Sequence, residues 1–270
     1  TISKAYLGAG FNLTDALSVG ANVYYLFGTL NQNNSIYFID DPEQYGFNET
    51  EQTRLRDFAY LFGAQYDIAL KNNEFLTLGA TFEKKANFTA FHTLNQEKIL
   101  NYGGSVLTDS IKTIIDEPGK IQLPSSFGVG ISYTKLNKLE VNADYYYSKW
   151  SDARFYGNSV PELTNQSRIS IGAEYIPEET SIRSYFKRVR YRAGFHIDNS
   201  YLKINNQQLN ETGMSFGIGL PVTRSKSTIN LAVEVGRRGT IKDNMIRENY
   251  TKISIYLNLF DRWFVQRKFD

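Results

Sequence analysis

Along most of this chain the apolar side chains fall on every second residue and keep one parity within each segment. Between residues 127 and 147, Phe127, Val129, Ile131 and Tyr133 alternate with Gly128, Gly130 and Ser132. After "TKLNK" the beat resumes: Leu139, Val141, Ala143, Tyr145 and Tyr147 are separated by Glu140, Asn142, Asp144 and Tyr146. A period of two belongs to strands, whose successive side chains point to opposite faces. The same rhythm recurs over 5–13, 17–27, 58–68, 76–82, 169–175, 189–195, 214–220, 229–235 and 253–259, giving about eleven strands. No helix of ordinary length stands out; "VLTDSIKTII" (106–115), inside a long connection, is the best short candidate.

The decisive question is which face meets water. The alternating positions opposite the apolar ones include Gly8, Gly10, Gly20, Gly63, Gly79, Asn22, Gln65 and Asp67. Glycine inside a solvent-facing strand is costly. On the inner side of a closed barrel it leaves lumen space and permits tight coiling. Connection lengths point the same way. "TDA", "KNNE", "LNK", "PEETS" and "RSKS" alternate with longer polar stretches at about 31–55, 85–121, 151–166, 203–212 and 238–249. An outer-membrane barrel has brief periplasmic turns and long external loops, whereas a soluble sandwich has no reason to segregate loops by parity. Mean hydropathy of −0.39 does not oppose this. A spanning strand needs only about 9–11 residues, half of them apolar. Aromatic groups at Tyr24-Tyr25, Tyr145-Tyr146-Tyr147 with Trp150, and Trp263-Phe264 suit the membrane–water interface. The expected fold is an all-β, transmembrane antiparallel β-barrel in a bacterial outer membrane.

Residues 1–260 are expected to be the C-terminal portion of that barrel, with 261–270, "DRWFVQRKFD", as a short periplasmic tail. Counting strand directions back from that tail starts the first strand outside. An even-stranded barrel that begins in the periplasm would then need an odd number of strands upstream.

"LPSSFGVGISY" (123–133) followed by "KLEVNADYYYSKWS" (138–151) resembles the FadL/TodX family of outer-membrane transporters for hydrophobic compounds. "AYLGAGFNLTDALSVGANVYYLFG" (5–28) looks like an earlier hairpin of that family. The resemblance implies a fourteen-stranded barrel with an N-terminal hatch, of which this chain would hold about eleven strands. It implies passive transport of hydrophobic small molecules. The family's Asn-Pro-Ala type hatch motif is not found in this chain. The family also includes non-transport relatives, so the alternative is a barrel subunit of an outer-membrane assembly such as a type IX secretion or barrel-insertion complex.

Little in the sequence supports catalysis. There is no Cys, and His92 and His196 are the only histidines. His196 with a serine and a carboxylate would mimic a barrel lipase, but no nucleophile elbow accompanies it. No enzyme activity, metal or cofactor is expected. A net charge of +2 argues against nucleic acid, and "KRVR" (187–190) splits between two strand faces. The candidate functional residues are a ladder of lumen parity: Glu140, Asp144, Glu174, Arg190, Arg192, His196 and Glu234. Such a ladder braces the wall through cross-strand pairs, or guides a substrate carboxylate past Arg190 or Arg192. Expected partners are outer-membrane lipids and lipopolysaccharide, a hydrophobic ligand, and proteins of a membrane complex.

Overall fold

The computed structural model describes residues 1–38, 44–102, 105–222 and 227–260. Fifteen strands form one sheet: β1 (Ile2–Asn12), β2 (Leu17–Ile36), β3 (Gly46–Ala69), β4 (Glu74–Glu83), β5 (Ala86–Tyr102), β6 (Ser105–Leu123), β7 (Ser126–Lys135), β8 (Leu139–Ser148), β9 (Arg154–Phe155), β10 (Asn158–Ser159), β11 (Gln166–Tyr175), β12 (Arg190–Ile204), β13 (Gln207–Pro221), β14 (Thr228–Gly239) and β15 (Arg247–Asn258). Every pairing is antiparallel. Among the described residues β1 pairs with β2 alone and β15 with β14 alone, so the sheet is not closed.

β3 organises the molecule. Its later half, Leu61 to Ala69, pairs with β4, while its earlier half, Gly46 to Arg56, pairs with β5. β4 then pairs directly with β7, so the β5–β6 hairpin stands out of the sequence of wall strands and rejoins the sheet beside β3. Eleven strands make the wall; β5, β6, β9 and β10, with the far ends of β2 and β3, form an extension at the end of the long connections.

Four sequence expectations are corrected here. Within the stretches 31–55 and 85–121, residues 31–36, 46–55, 86–102 and 105–121 are paired strand rather than loop. The helix expected at 106–115 is part of β6. Its apolar spacing is distorted because β6 carries extra residues opposite His92–Leu94 and Gln96–Glu97, two bulges that shift the parity. The third is 203–212, which folds as a hairpin with Lys203 opposite Gln208. Asn205 and Asn206 form its two-residue turn at φ of 48° and 61°, the left-handed geometry that fits strand twist. The connection drawn as "PEETS" is longer, running from β11 to β12 over 176–189 with a single 3-10 turn. Trp263, Phe264 and the whole 261–270 tail lie outside the described residues.

The apolar parity of the wall is unburied. Phe62, Leu78, Val129, Val141, Ile171, Phe216, Val233 and Ile255 are all exposed on one face. A water-soluble sheet does not leave so contiguous an apolar band uncovered. Among the described residues, no helix is long and apolar enough to cross a membrane. The largest buried cluster, Tyr24, Leu55, Ala59, Phe88, Ala90 and Ile121, lies where the extension meets the wall.

Candidate functional site

The face opposite the apolar band is built from cross-strand rows. One row runs Ser18, Gln65, Gly79, Gly130, Asp144, Ser170, His196, Gly213, Gly236, Tyr250, each residue directly opposite the next. A second runs Thr77, Ser132, Asn142, Gly172, Gly194, Ser215, Glu234. A third holds Glu140, Glu174, Arg192 and Gly217. All seven residues of the expected ladder stand on this face or at its rim, in two clusters and one outlier.

The first cluster is ionic. Arg192 Nε donates to Glu174 Oε2 at 2.6 Å, and Arg190 Nη1 donates to Glu174 Oε1 at 3.3 Å. Arg190 also reaches Glu179 at 3.3 Å, and Arg192 Nη1 donates to Asn230 Oδ1 at 2.7 Å. Glu140 lies directly across from Glu174, and two like charges on facing strands repel. The two arginines offset that repulsion from the other side. Glu140 keeps its carboxylate exposed, accepting a bond from Asn142 Nδ2 at 3.1 Å. A recess of about 440 Å³ opens over this cluster, floored by Gly172, Gly194 and Gly217.

The second cluster contains residues that parity alone did not single out. Tyr250 Oη lies 2.7 Å from Glu211 Oε1 and 3.0 Å from Glu234 Oε1. Arg238 holds the other Glu211 oxygen at 2.6 Å, and His196 Nε2 is 3.7 Å from Glu211 Oε1. The rings fit because their partners are glycines: a Cβ on Gly213 would meet His196 Cε1 at 2.5 Å, and one on Gly236 would meet Tyr250 Cζ at 2.6 Å. The Asn205-Asn206 turn closes the β12–β13 hairpin, and a register shift between Asn199 and Lys203 then puts Glu211 one row from His196. His196, Glu211 and Glu234 bring ligand atoms within 4.8 Å of one another, a spacing that suits a divalent cation. Arg238 and the Tyr250 hydroxyl already satisfy those carboxylates, so a cation would have to displace them. Ser170 faces His196 across the strands, but its hydroxyl accepts from Arg168 Nε at 3.3 Å and no hydrogen bond joins it to the imidazole.

Asp144 stands apart from both clusters. With Ser18, Gln65, Thr81 and Tyr146 it rims a recess of about 520 Å³ whose floor is Gly20, Gly63, Gly79, Gly128 and Gly130. His92, expected in a loop-side segment, is on β5, where its Nε2 lies 3.0 Å from Glu51 Oε1.

The wall's polar face ends at the buried cluster beneath the extension. Tyr24 is 3% exposed, Phe88 2% and Ala90 0%, packed against Leu26, Leu61, Leu123, Phe155 and Tyr156. Tyr24, Leu26 and Leu61 carry the polar parity, so apolar packing here occupies the face that is ionic and glycine-rich lower down.

Comparison with known proteins places this geometry. The BamG family model matches residues 1–270. A search of curated proteins finds no match. Among solved structures, the toluene transporter TbuX of Ralstonia pickettii is similar over 96% of this chain and 68% of its own, with a TM-score of 0.55 and 18% identity. The P. putida toluene transporter TodX is similar over 97% of this chain and 70% of its own, with a TM-score of 0.53 and 16% identity. At such identities the likeness is one of fold: this chain shares the strand architecture of TbuX and TodX.

Proposed function

The chain belongs to the BamG family, and from that premise and the geometry above we propose that it is an outer-membrane β-barrel wall acting as a structural subunit of an outer-membrane assembly, such as a secretion or barrel-insertion complex. The apolar band faces the hydrocarbon and the polar rows face the lumen. The extension stands on the external side, because barrels of this type keep their long connections there.

One observation carries the choice of subunit over channel. A passage for a hydrophobic molecule needs an apolar lining, since burial of apolar surface supplies its binding energy. Among the described residues the lumen-parity lining of the two recesses is glycine with Ser18, Gln65, Thr81 and Asp144 in one and with Glu140, Asn142, Glu174 and Arg192 in the other, while Val19, Val129, Phe216 and Leu231, of the opposite parity, complete their walls. Of the bulky residues of lumen parity, Tyr24, Leu26 and Leu61 are packed into the cluster around Phe88. Glu174 with Arg190 and Arg192 then braces β11 against β12, with Asn230 extending the tie to β14. The ladder is structural in this reading, and the tail 261–270 lies in the periplasm.

The second reading, passive transport of hydrophobic small molecules, is supported by the fold shared with TbuX and TodX and by the glycine-floored recess at Asp144. Two measurements separate them. The full-length protein, extracted in mild detergent after cross-linking in the cell, should migrate in a stoichiometric complex with other membrane proteins. In liposomes it should not raise the entry rate of a monoaromatic hydrocarbon. A monodisperse single-chain species that accelerates entry would replace the subunit reading with the transport one.

A further inference from the structure

We propose that the outward face of the extension is a docking surface for the phosphorylated glycolipid headgroups of the outer leaflet. This rests on the membrane placement proposed above. The face is stratified in the order such a headgroup requires. Lowest are the aromatic rings of Tyr25, Phe27 and Phe58, with centroids 4.9 Å apart for Tyr25–Phe58 and 5.5 Å for Tyr25–Phe27. Rings with an apolar body settle where hydrocarbon gives way to headgroups.

Level with Phe27 and one step above the Tyr25–Phe58 pair, Arg56 is the cross-strand partner of Phe27. Thr89 follows on β5 and Lys120 on β6, so Arg56 and Lys120 flank one threonine on the same face. Two strand spacings separate their backbones, about 10 Å, and side chains of that length converge on a phosphate between them. Both cations are exposed, and among the described residues neither has an ion-pair partner. The carboxylates nearby are engaged: Asp57 accepts from the Thr89 hydroxyl at 3.2 Å, and Asp116 holds Arg54 at 3.2 Å. Arg56 is further steadied with its guanidinium carbon 5.9 Å from the Phe91 ring centroid.

Above the cations the face turns to neutral amides and hydroxyls. Asn31, Gln52 and Thr93 form one row and Asn33, Thr50, Asn95 and Thr113 the next. Gln52 Nε2 donates to Asn31 Oδ1 at 3.1 Å, and Thr113 Oγ1 donates to Asn95 Oδ1 at 3.1 Å. Aromatic boundary, free cations, then paired amides match acyl chain, phosphate and sugar in that order. A guanidinium pairs with phosphate oxygens in a bidentate fork, and an ammonium adds a point charge.

The test uses full-length protein in nanodiscs of zwitterionic phospholipid, titrated with fluorescent bis-phosphorylated lipid A and with its dephosphorylated form. The wild-type protein should bind the phosphorylated lipid at least about tenfold more tightly, and the double substitution Arg56→Gln with Lys120→Gln should remove that preference. The charge-retaining pair Arg56→Lys with Lys120→Arg should preserve it. Equal binding of the two lipids, or a Gln variant that folds and binds as wild type does, overturns this inference and leaves the barrel reading untouched. Failure of the wild-type protein to insert into a bilayer overturns the membrane placement itself.

Discussion

β2 and β3 each pass through two environments, and their composition changes where the environment does. In the wall, Leu17 to Gly28 of β2 and Asp57 to Ala69 of β3 place Val23, Tyr25, Phe58, Tyr60 and Phe62 on one face and Asn22, Gly63 and Gln65 on the other. In the extension the same strands continue as Thr29 to Ile36 and Gly46 to Arg56, and the apolar parity gives way to Asn31, Asn33, Thr50 and Gln52. The hydrogen-bond ladder is unbroken across the change. The backbone therefore does not report the boundary; the side chains do. Alternation reads as wall where the apolar parity is uncovered on one face, and it weakens in the extension, where the far end of β2 is exposed on both faces and the apolar packing moves to the other parity around Phe88.

The largest effect that separates the two regions should come from Phe88→Ala. Emptying a site that is 2% exposed costs about 3–5 kcal/mol, and the loss falls on the junction under β5 and β6. Limited proteolysis should cut the β5–β6 hairpin while heat-modifiable migration of the wall persists. Simultaneous loss of both would show that extension and wall are one cooperative unit. Next comes a charge on the apolar band. Val141→Arg should destabilise the folded state by about 2–4 kcal/mol in a bilayer, read by urea titration in liposomes, whereas Asn33→Arg in the extension should cost close to nothing.

A smaller effect is expected from Glu174→Gln, which leaves Arg190 and Arg192 without their shared carboxylate. Water reaches this cluster, so the loss should be about 1 kcal/mol in the same titration. The smallest is a pH effect confined to the extension. Hydrogen bonds from Gln96 and then Asn34 hold the Glu49 carboxyl below the ordinary carboxylate range. Its contribution is thus present above the unfolded-state value and is lost as the pH falls through the folded one. Amide exchange over residues 48–52, corrected for intrinsic rate, should quicken as the pH falls below the ordinary carboxylate range, and Gln96→Ala should abolish most of that pH dependence.

How much was readable follows from the same contrast. Strands β7, β8 and β11 were legible because Val129, Val141 and Ile171 alternate without interruption against glycine, asparagine and serine. The opposition of Glu174 and Arg192 was legible from parity and from adjacent strands. The extension was not. Ile111 and Ile115 sit at β6 bulges, exposed at 50% and 75%, and bulges imitate the irregular spacing of a short helix. Glu211, Arg238 and Tyr250 escaped notice because their grouping depends on a β12–β13 register shifted between Asn199 and Lys203 and on glycines that make room for rings. The cluster around Phe88 requires β3 to change partners midway, which no periodicity announces.

The central claim is that the apolar parity faces hydrocarbon and the polar parity faces the lumen. Nitroxide labels placed one at a time along β11 from Ile169 to Glu174, in the full-length protein in bilayers, test it most directly. Collision rates with oxygen should peak at Ile169, Ile171 and Ala173, and those with a water-soluble nickel chelate at Ser170, Gly172 and Glu174. A flat profile, or chelate access at Ile171 equal to that at Gly172, would contradict the account.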